Sequence, residues 1–385
     1  MSTQLGAWKT IESAFHADFH EPDMGAVRAV YAAAAAHFLP GPPVWIFDIA
    51  PPSSGKTEKL MPLAPAAGAH IISSVTPQTL LSGKVAGDGS LLTKIAPPSN
   101  PRAIIVCKDF SQVLSMPKKT KGPILADFRD MYDGYIAKEF GTGERKEWRG
   151  RITFIAGVTP NIDIHYSVFQ ILGERFVQVR SRRPGGVQAA LRAFAQRPDK
   201  QRCHLNNAVT ALLQPITTTT LNPVLSKESQ LIVANLAEFV VHARTQVPRE
   251  GYSRELLYVP ESEASPRLAH QLAQLAKGSA LLDGRDQVNQ VDMALVRRVA
   301  FDSMPAARRA ILDHLAKQHG PISQVQLTEA LHGSTTFVRR CTEDLTVVDL
   351  VDRKEVDDNL DPDQRTVNIS LSTFAVDLLA GRSQI

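Results

Sequence analysis

The sequence predicts an α/β fold in which a mostly parallel sheet lies between helices, followed by a helical region and a small C-terminal module. Short apolar runs rich in β-branched residues alternate with helical or loop segments up to residue 180, which is typical of parallel strands joined by crossover helices. Strand signals then stop, and the segments 184–215 and 225–300 have the apolar spacing of helices. From about residue 304, three short helical segments precede two strand-like segments.

Five apolar runs account for the predicted sheet. They are VWIFDIA (44–50), AHIISS (69–74), AIIVC (103–107), RITFIAGV (151–158) and RFVQVR (175–180). The first forty residues are Ala-rich with helical spacing, and the Pro-Gly-Pro-Pro sequence at 40–43 ends them. Between the third and fourth strands, polarity alternates on both sides of Gly-Thr-Gly, which predicts a β-hairpin over residues 135–151.

The composition is that of an ordinary globular protein. The chain has 385 residues, of which 43% are hydrophobic and 21% charged, and this length suffices for two or three domains. The net charge of +4 permits nucleic-acid binding without requiring it.

The cysteines and the apolar runs indicate the cellular compartment in which the chain is expected to fold. Cys107, Cys203 and Cys341 are far apart and form no CxxC pair, which argues against a zinc site or a disulfide framework and favours a reducing, cytoplasmic environment. No signal peptide opens the chain, and its longest apolar run, from Val30, is too short to span a membrane. We therefore expect no membrane association.

The loop after the first predicted strand has the pattern of a phosphate-binding loop. It reads APPSSGKT from Ala50 to Thr57, whereas the usual signature begins with glycine. Backbone N–H groups at a helix N-terminus, a lysine and a magnesium-binding hydroxyl carry this chemistry. Alanine at the first position removes a flexible hinge but no ligand. A proline-rich loop that ends in Gly-Lys-Thr by chance is the alternative. The residues predicted to bind ATP here are Pro52, Ser53, Ser54, Gly55, Lys56, Thr57 and Glu58, with Mg²⁺ at Thr57.

A second candidate position follows the strand 103–107. An ATPase with such a loop needs an acid at the end of a neighbouring strand to hold magnesium. The chain has Lys108 and then Asp109, so we predict Asp109 as metal ligand and catalytic acid. Lys108 would repel a divalent cation, which leaves two outcomes open. Asp109 reaches magnesium through water, or hydrolysis is slow or absent and Lys108 partly replaces the charge of the metal.

In the order of these motifs the chain resembles the AAA+ superfamily of P-loop ATPases, and within it the minichromosome maintenance helicases most closely. The matches, over about residues 40–300, are ISSVTPQTLLSG at 72–83 with a Ser-Ser stretch, CKDF at 107–110 with Ile-Asp-Glu-Phe, Val158-Thr159-Pro160 with Ala-Asn-Pro, and Glu174-Arg175-Phe176 with Ser-Arg-Phe. The resemblance implies ATP bound between the subunits of a ring or filament, with a hexameric ring as one candidate.

The resemblance also implies roles for three residues outside the loop. Thr159 would sense the γ-phosphate, Arg175 would be an arginine finger for the neighbouring subunit, and Arg267 would be a second γ-phosphate sensor. For Arg175 the alternative is an arginine paired with Glu174 or another surface acid, and for Arg267 it is a solvated arginine at a helix start. The implied domains are an N-terminal helical segment (1–40), an AAA+ core (41–222), a helical lid (223–302) and a winged-helix domain (303–385).

Two groups of basic residues are candidate DNA contacts. The predicted hairpin carries Trp148 among cations, which suits strand tracking, although interspersed glutamates equally fit a salt-bridged hairpin. In the C-terminal module, Ser334 is a plausible N-cap for a recognition helix, whereas the acidic turn 357–363 would be repelled by phosphate and makes protein contact the alternative. The candidate DNA-binding residues are Lys138, Arg145, Lys146 and Arg149 in the hairpin, and Thr335, Thr336, Arg339 and Arg340 in the helix.

These observations predict an ATP-binding protein that assembles on DNA and acts as a helicase-like motor or remodeller in replication, for example of a phage or mobile element. The alternative is an ATP-gated DNA-binding switch or transcription regulator with little hydrolysis, which Ala50 and Lys108 favour. A third hypothesis is a ring that remodels proteins, in which the winged helix contacts protein.

Overall fold

The computed structural model of the chain describes residues 2–83, 89–141, 143–165, 175–183, 185–195, 198–356 and 366–381. The chain divides into two compact units. The first comprises the residues up to 229 together with 270–299, and the second comprises 230–269 and the residues from 300 onward. The segment 223–302, predicted as a lid, contributes to both units. Glu174 and the acidic turn lie outside the described residues.

A parallel sheet organises the first unit. Its strands and those of an antiparallel hairpin are β1 (Ile46–Ile49), β2 (His70–Ile72), β3 (Arg102–Cys107), β4 (Tyr135–Glu139), β5 (Arg145–Arg149), β6 (Arg151–Val158) and β7 (Val177–Arg180). The described part of the sheet has five strands, all parallel, in the order β2-β3-β6-β1-β7. β4 and β5 form the hairpin. The α/β class, the five predicted strands and the hairpin are thereby confirmed.

Helices cover the sheet and continue along the chain. They are α1 (Ser2–Asp18), α2 (Met24–Ala36), α3 (Lys56–Leu60), α4 (Leu63–Ala67), α5 (Leu91–Ile95), α6 (Ser111–Leu114), α7 (Lys118–Tyr132), α8 (Gly186–Ala195), α9 (Pro198–Thr217), α10 (Lys227–Arg244), α11 (Pro266–Leu282) and α12 (Gln290–Asp302). A 3-10 helix spans Pro160–His165. α3 begins at Lys56, as the loop pattern predicts. Among the described residues, no helix combines the length and the apolar character needed to cross a bilayer.

Aromatic side chains fill much of the core between the sheet and α7. Trp45, Phe47, Phe128, Phe154 and Phe176 are all buried in one cluster. The rings of Phe47 and Phe176 stack with centroids 3.9 Å apart, and Trp45 donates its indole N–H to the carbonyl of Ile152 at 2.7 Å. Such large buried rings contribute much of the hydrophobic stabilisation of a domain. They hold β1, β6 and β7 in register, and this register fixes where the strands end.

The N-terminal segment is packed into the first unit. Almost every residue of α2 from Ala26 to Ala36 is buried. Beyond its C-terminus, Arg151 donates to the carbonyls of Ala36 and Leu39, and Arg102 also donates to that of Leu39, at 3.2 Å. Cations at this end of a helix satisfy unpaired carbonyls and complement the helix dipole.

The strand order marks a candidate binding position. β1 lies inside the sheet between β6 and β7, and the chain leaves β1 toward the β2 edge but returns to its other side at β7. In open α/β sheets, ligands bind beyond the carboxyl ends of the strands where the strand order reverses. The residues after Ile49, Cys107 and Val158 are therefore expected to converge on one site.

The last part of the second unit contains the three helices and the two strands that the sequence predicts. The elements of this part are α13 (Ala306–Leu315), β8 (Ile322–Ser323), α14 (Gln324–Ala330), α15 (Thr335–Val347), β9 (Val351–Val356), β10 (Thr366–Leu371) and α16 (Thr373–Ala380). The strands form an antiparallel sheet in the order β8-β10-β9. Ser323 begins α14 with a capping box, and the Ser334 hydroxyl accepts the N–H of Phe337 at the start of α15. β8 and α16 are elements that the sequence did not indicate.

Candidate functional site

A cavity of about 550 Å³ lies at the carboxyl ends of the strands of the first unit. This volume is in the range of small-molecule sites. The cavity brings together the phosphate loop, the residues that follow β3 and β6, and part of the N-terminal segment. The predicted residues that line it are Pro52, Ser53, Ser54, Gly55, Lys56, Thr57, Glu58, Asp109 and Thr159.

The loop turns tightly into α3. Ser53 and Gly55 have positive φ angles of 60° and 81°, a conformation that glycine adopts without strain and serine adopts at a cost. The Ser54 hydroxyl donates to the carbonyl of Pro51 at 2.7 Å and closes the turn. Ala50 is not among the residues with positive φ, and its N–H donates to the carbonyl of Val158 at 3.0 Å. Position 50 therefore accepts alanine without backbone strain.

The ammonium group of Lys56 lies at the base of the loop. It donates to the carbonyl of Ala50 and, at 2.8 Å, to that of Pro51. Burial lowers the pKa of Lys56, while the carboxylates of Asp48 and Asp109 act in the opposite direction. An anion in the loop would give this ammonium a charged acceptor in place of neutral carbonyls, and hydrogen bonds between charged groups are the stronger kind.

A buried ion pair lies next to this loop, and the sequence analysis missed it. Lys59 of α3 lies 2.6 Å from the carboxylate of Asp48 in β1, and both side chains are almost fully buried. Lys59 also donates to the Ser181 hydroxyl at 2.7 Å, and that hydroxyl donates to Asp48 at 2.6 Å. The three side chains tie α3, which begins with Lys56, to the first and last strands of the sheet. The one feature of the sequence that could have indicated this ion pair is an aspartate, Asp48, in an otherwise apolar strand.

We expect the Lys59→Met variant to be less stable than the wild type by about 3–5 kcal/mol, because it leaves the buried Asp48 carboxylate without its counterion. The double variant Asp48→Asn/Lys59→Met should regain a large part of this loss, since it buries no unpaired charge. Chemical denaturation monitored by circular dichroism measures both free energies of unfolding. A double variant no more stable than Lys59→Met would contradict the coupling of the two charges.

The end of β3 is held against β6 by a close backbone approach. The N–H of Lys108 donates to the carbonyl of Ile72 at 3.2 Å. A Cβ atom on Gly157 would lie only 2.6 Å from the carbonyl oxygen of Lys108, so glycine is required where these strands end. The backbone of Lys108 is thereby fixed on both sides, and Lys108 is among the residues that line the cavity.

Asp109 and Thr159 complete the same wall. One carboxylate oxygen of Asp109 accepts the N–H of Ser111 at 2.9 Å, and the Ser111 hydroxyl accepts the N–H of Thr159 at 2.9 Å. This chain of bonds joins the segment after β3 to the segment after β6. The two residues predicted to act on the γ-phosphate therefore occupy adjoining positions in the cavity, as the strand order suggests.

The donors in the cavity fit a magnesium ion that is shared with phosphate. Thr57 and Asp109 offer a hydroxyl and a carboxylate oxygen, the hard donors that Mg²⁺ takes when phosphates and water complete its shell. Within the described ranges, no group of three or more His, Cys, Asp or Glu side chains could hold a metal ion. A hydroxyl and one carboxylate, from Thr57 and Asp109, suit a metal whose other ligands are phosphate and water oxygens.

The N-terminal segment forms a wall of the cavity that the sequence analysis did not foresee. A Cβ atom on Gly55 would lie 3.2 Å from the ring of Phe19, so this ring packs directly on the phosphate loop. Phe19 stacks on Phe15 with ring centroids 5.5 Å apart. Arg192 of α8 donates to the carbonyls of His16 and Ala17 and holds the end of α1. The feature of the sequence that could have indicated this packing is a pair of phenylalanines, Phe15 and Phe19, four residues apart at the end of a predicted helix.

Asp23 links the N-terminal segment to α12 and to the residues that follow β7. Its two carboxylate oxygens accept hydrogen bonds from Arg298, each at 2.6 Å, and one also accepts the N–H of Arg182 at 2.8 Å. Burial acts to raise the pKa of Asp23, but the hydrogen bonds from Arg298 and Arg182 outweigh it and hold this pKa well below its usual range. Asp23 is therefore ionised and paired at neutral pH.

The arginine implied as a finger lies apart from the cavity lining. Arg175 is only 5% exposed, and its guanidinium donates to Asp133 at 2.7 Å beside the ring of Tyr132. A finger must present its guanidinium to a neighbouring subunit, so this role requires Arg175 to leave Asp133. Arg267 belongs to the second unit, where it pairs with Glu263 at 3.8 Å. The alternative of an arginine paired with an acid fits Arg175 in this conformation. Arg267 lies at the start of α11 with a side chain that is 38% exposed, which fits the alternative of a solvated arginine at a helix start.

Two of the hairpin cations are engaged with acids. Lys138 pairs with Asp127 of α7, and Arg145 pairs with Glu147 at 2.6 Å and with Glu139 at 3.4 Å. These contacts are those of the salt-bridged hairpin, which was one of the two interpretations left open. Binding a DNA phosphate would require either cation to exchange its carboxylate partner.

The aromatic residue of the hairpin has a different role from the predicted one. Trp148 is 3% exposed and donates its indole N–H to the carbonyl of Ala96 at 2.9 Å, so it belongs to the core and cannot stack on bases. The more exposed ring is Tyr135, which Arg149 covers at 4.2 Å from the ring centroid. Lys146 lies on β5 opposite Lys138 of β4.

The four residues of α15 that are predicted to contact DNA are all exposed to solvent. Thr335, Thr336, Arg339 and Arg340 all lie on the solvent side of the first two turns. Phe337 is 51% exposed among them. Arg339 lies 3.7 Å from Glu343, one turn further along the helix. Unlike the hairpin, this surface presents two arginines, two hydroxyls and an apolar ring on one short helix.

No known family model matches the chain, and no curated protein is similar enough to it to serve as a relative. The sequence motifs and the geometry of the cavity are therefore what the function is inferred from.

Proposed function

We propose that the first unit binds a nucleoside triphosphate, with ATP as the expected ligand, in the cavity formed by the loop from Ala50 to Thr57. The observation that carries this proposal is the convergence of Lys56, Thr57, Asp109 and Thr159 on one cavity at the carboxyl ends of three strands. A chance Gly-Lys-Thr would have no reason to lie beside an acid and a hydroxyl from two other strands. The strand–loop–helix context is the setting that a phosphate loop needs.

We further propose that the first unit is an AAA+ core, as the resemblance implies. A parallel sheet with the phosphate loop after an interior strand supports this assignment. Support also comes from the acid after β3 and the polar Thr159 after β6, since both motifs follow strands that lie on the same side of β1. The winged-helix assignment of the C-terminal module rests on the order of α13, α14 and α15 followed by the antiparallel strands β9 and β10.

Each of the cavity residues has a separate role in the proposed binding and hydrolysis of ATP. Backbone N–H groups of the loop and the Lys56 ammonium bind the phosphates, and Thr57 and Asp109 would hold Mg²⁺, which supplies charge neutralisation when bound. Asp109 also orients the attacking water. Thr159 donates its hydroxyl to the γ-phosphate or to that water, with a shorter reach than asparagine. Arg175 of a neighbouring subunit would stabilise the transferred phosphoryl group.

For the whole chain we propose an ATP-dependent assembly on DNA, a ring or filament that acts as a helicase-like motor or remodeller in replication. The second unit would bind DNA through α15, whose exposed threonines and arginines match a recognition helix. The competing proposal is an ATP-gated DNA-binding switch with little hydrolysis. Two observations favour the switch: Lys108 lines the cavity beside Asp109, and Arg175 is buried against Asp133.

Three measurements on the full chain separate these proposals. Isothermal titration with ATP tests binding, phosphate release with and without DNA tests turnover, and mass photometry with and without ATP tests assembly. Binding, DNA-stimulated turnover and ATP-dependent assembly are expected for the motor. Binding and assembly with no turnover above background would favour the switch. Absence of nucleotide binding would refute both.

A further inference from the structure

We propose that Lys108 binds the terminal phosphates of the nucleotide directly, so that this cavity binds a nucleoside triphosphate whether or not a divalent cation accompanies it. This inference rests on the proposed nucleotide binding and adds to it a second phosphate-binding lysine.

The position of Lys108 is the first observation. Its backbone is fixed by the hydrogen bond to Ile72 and by the close approach to Gly157, so the side chain starts from a defined point at the end of β3. Lys108 is one of the residues that line the same cavity as Lys56, Thr57 and Asp109. A lysine side chain is a flexible stem with a compact charge, which suits it to binding phosphate oxygens as a point charge.

The balance of charge at this end of the cavity is the second observation. Three lysines line the cavity near the loop, but the charge of Lys59 is neutralised by Asp48, 2.6 Å away in a buried pair. Lys56 and Lys108 remain, with Asp109 as the acid on the wall that follows β3. Glu58 also lines the cavity, but its carboxylate pairs with Arg202 at 3.2 Å. Around the loop and the end of β3, two ammonium groups and one carboxylate therefore leave an excess of positive charge, which attracts a polyphosphate.

The location of the carboxylate is the third observation. One oxygen of Asp109 accepts the N–H of Ser111 at the start of α6. The amide hydrogen bond disperses part of the negative charge that would otherwise attract a cation. Lys108 in the adjoining position therefore supplies, as part of the chain, positive charge that phosphates otherwise obtain from a bound metal.

The test is ATP binding to the full chain by isothermal titration, once with excess Mg²⁺ and once with excess EDTA. For the wild type we expect dissociation constants that agree within about threefold, a difference smaller than one hydrogen bond to a charged group contributes. Lys108→Asp should bind ATP roughly ten- to a hundredfold more weakly in EDTA, because it loses a charge-assisted hydrogen bond and places a second carboxylate beside the phosphates. Excess Mg²⁺ should restore much of its affinity.

Two further variants make the result specific. Lys119→Asp makes the same change of charge at an exposed position of α7, and it should bind as the wild type does in both buffers. Lys108→Met removes the ammonium without adding a carboxylate, and it should be weakened in EDTA even if Lys108→Asp does not fold. A wild type that loses its affinity in EDTA, or a Lys108→Met variant that keeps it, would overturn the inference. Absence of binding in both buffers would instead refute the proposed nucleotide site.

Discussion

Lys56→Ala is expected to raise the dissociation constant for ATP at least about a hundredfold, because it removes two or more charge-assisted hydrogen bonds to phosphate. In the structure the ammonium already lies at the base of the loop, donating to the carbonyls of Ala50 and Pro51. Isothermal titration or displacement of a fluorescent ATP analogue measures the change. An affinity equal to that of the wild type would show that the loop does not bind phosphate.

A loss of affinity must be separated from a loss of the loop itself, since Lys56 bonds the loop in the absence of ligand. Lys56→Met keeps most of the aliphatic stem and should bind ATP as weakly as Lys56→Ala while unfolding at nearly the wild-type denaturant concentration. Lys94→Ala removes an exposed lysine of α5 and should leave both properties unchanged. If Lys94→Ala weakened binding as much, the effect of Lys56 would reflect overall charge.

The double variant Arg339→Ala/Arg340→Ala should weaken DNA binding at least about tenfold at physiological salt and reduce the salt slope of the affinity by about two, one for each lost phosphate contact. Both arginines lie on the exposed first turns of α15, so their removal should not change the core. Fluorescence anisotropy with labelled duplex DNA over a series of salt concentrations gives the affinity and its slope together.

Controls for this experiment come from both units. Lys317→Ala removes an exposed cation from the same module and should have a smaller effect. Arg145→Ala in the hairpin should also have little effect, because that side chain is paired with Glu147 and Glu139. A double variant that binds DNA with unchanged affinity and slope would exclude α15 as the contact surface. Loss of binding in Arg145→Ala alone would move the interface to the hairpin.

The parts of the fold that the sequence could predict are those encoded by neighbouring residues. Apolar runs with β-branched residues gave the five strands, because a strand buried on both faces must be apolar along its length. The turn from β1 into α3 was predictable for a similar reason, since its residues occupy consecutive positions from Ala50 to Thr57. The segments after β1, β3 and β6, which meet at the cavity, could be identified in this way.

The rest depends on contacts between residues far apart in the chain. In the sequence, Trp148 lies among charged residues and therefore looks exposed. Its burial is explained by its hydrogen bond to the carbonyl of Ala96, which belongs to a distant segment of the chain. Lys59 looks like a solvated helix residue until Asp48 in β1 is seen beside it. Arg175 matched a motif, but no local pattern reveals that Asp133 holds it. Polar side chains such as these take their roles from distant partners, which periodicity does not encode.

The wall made by the N-terminal segment has a practical consequence for fragments of this protein. A core fragment that starts at Gly41, where the sequence suggests a boundary, would lack the Phe19 ring that covers Gly55 and the carboxylate of Asp23 that binds Arg298 and Arg182. It would also expose the strands against which α2 packs. Such a fragment would retain every residue of the phosphate loop and still have an open, misshapen cavity, so its failure to bind ATP would say nothing about the intact chain.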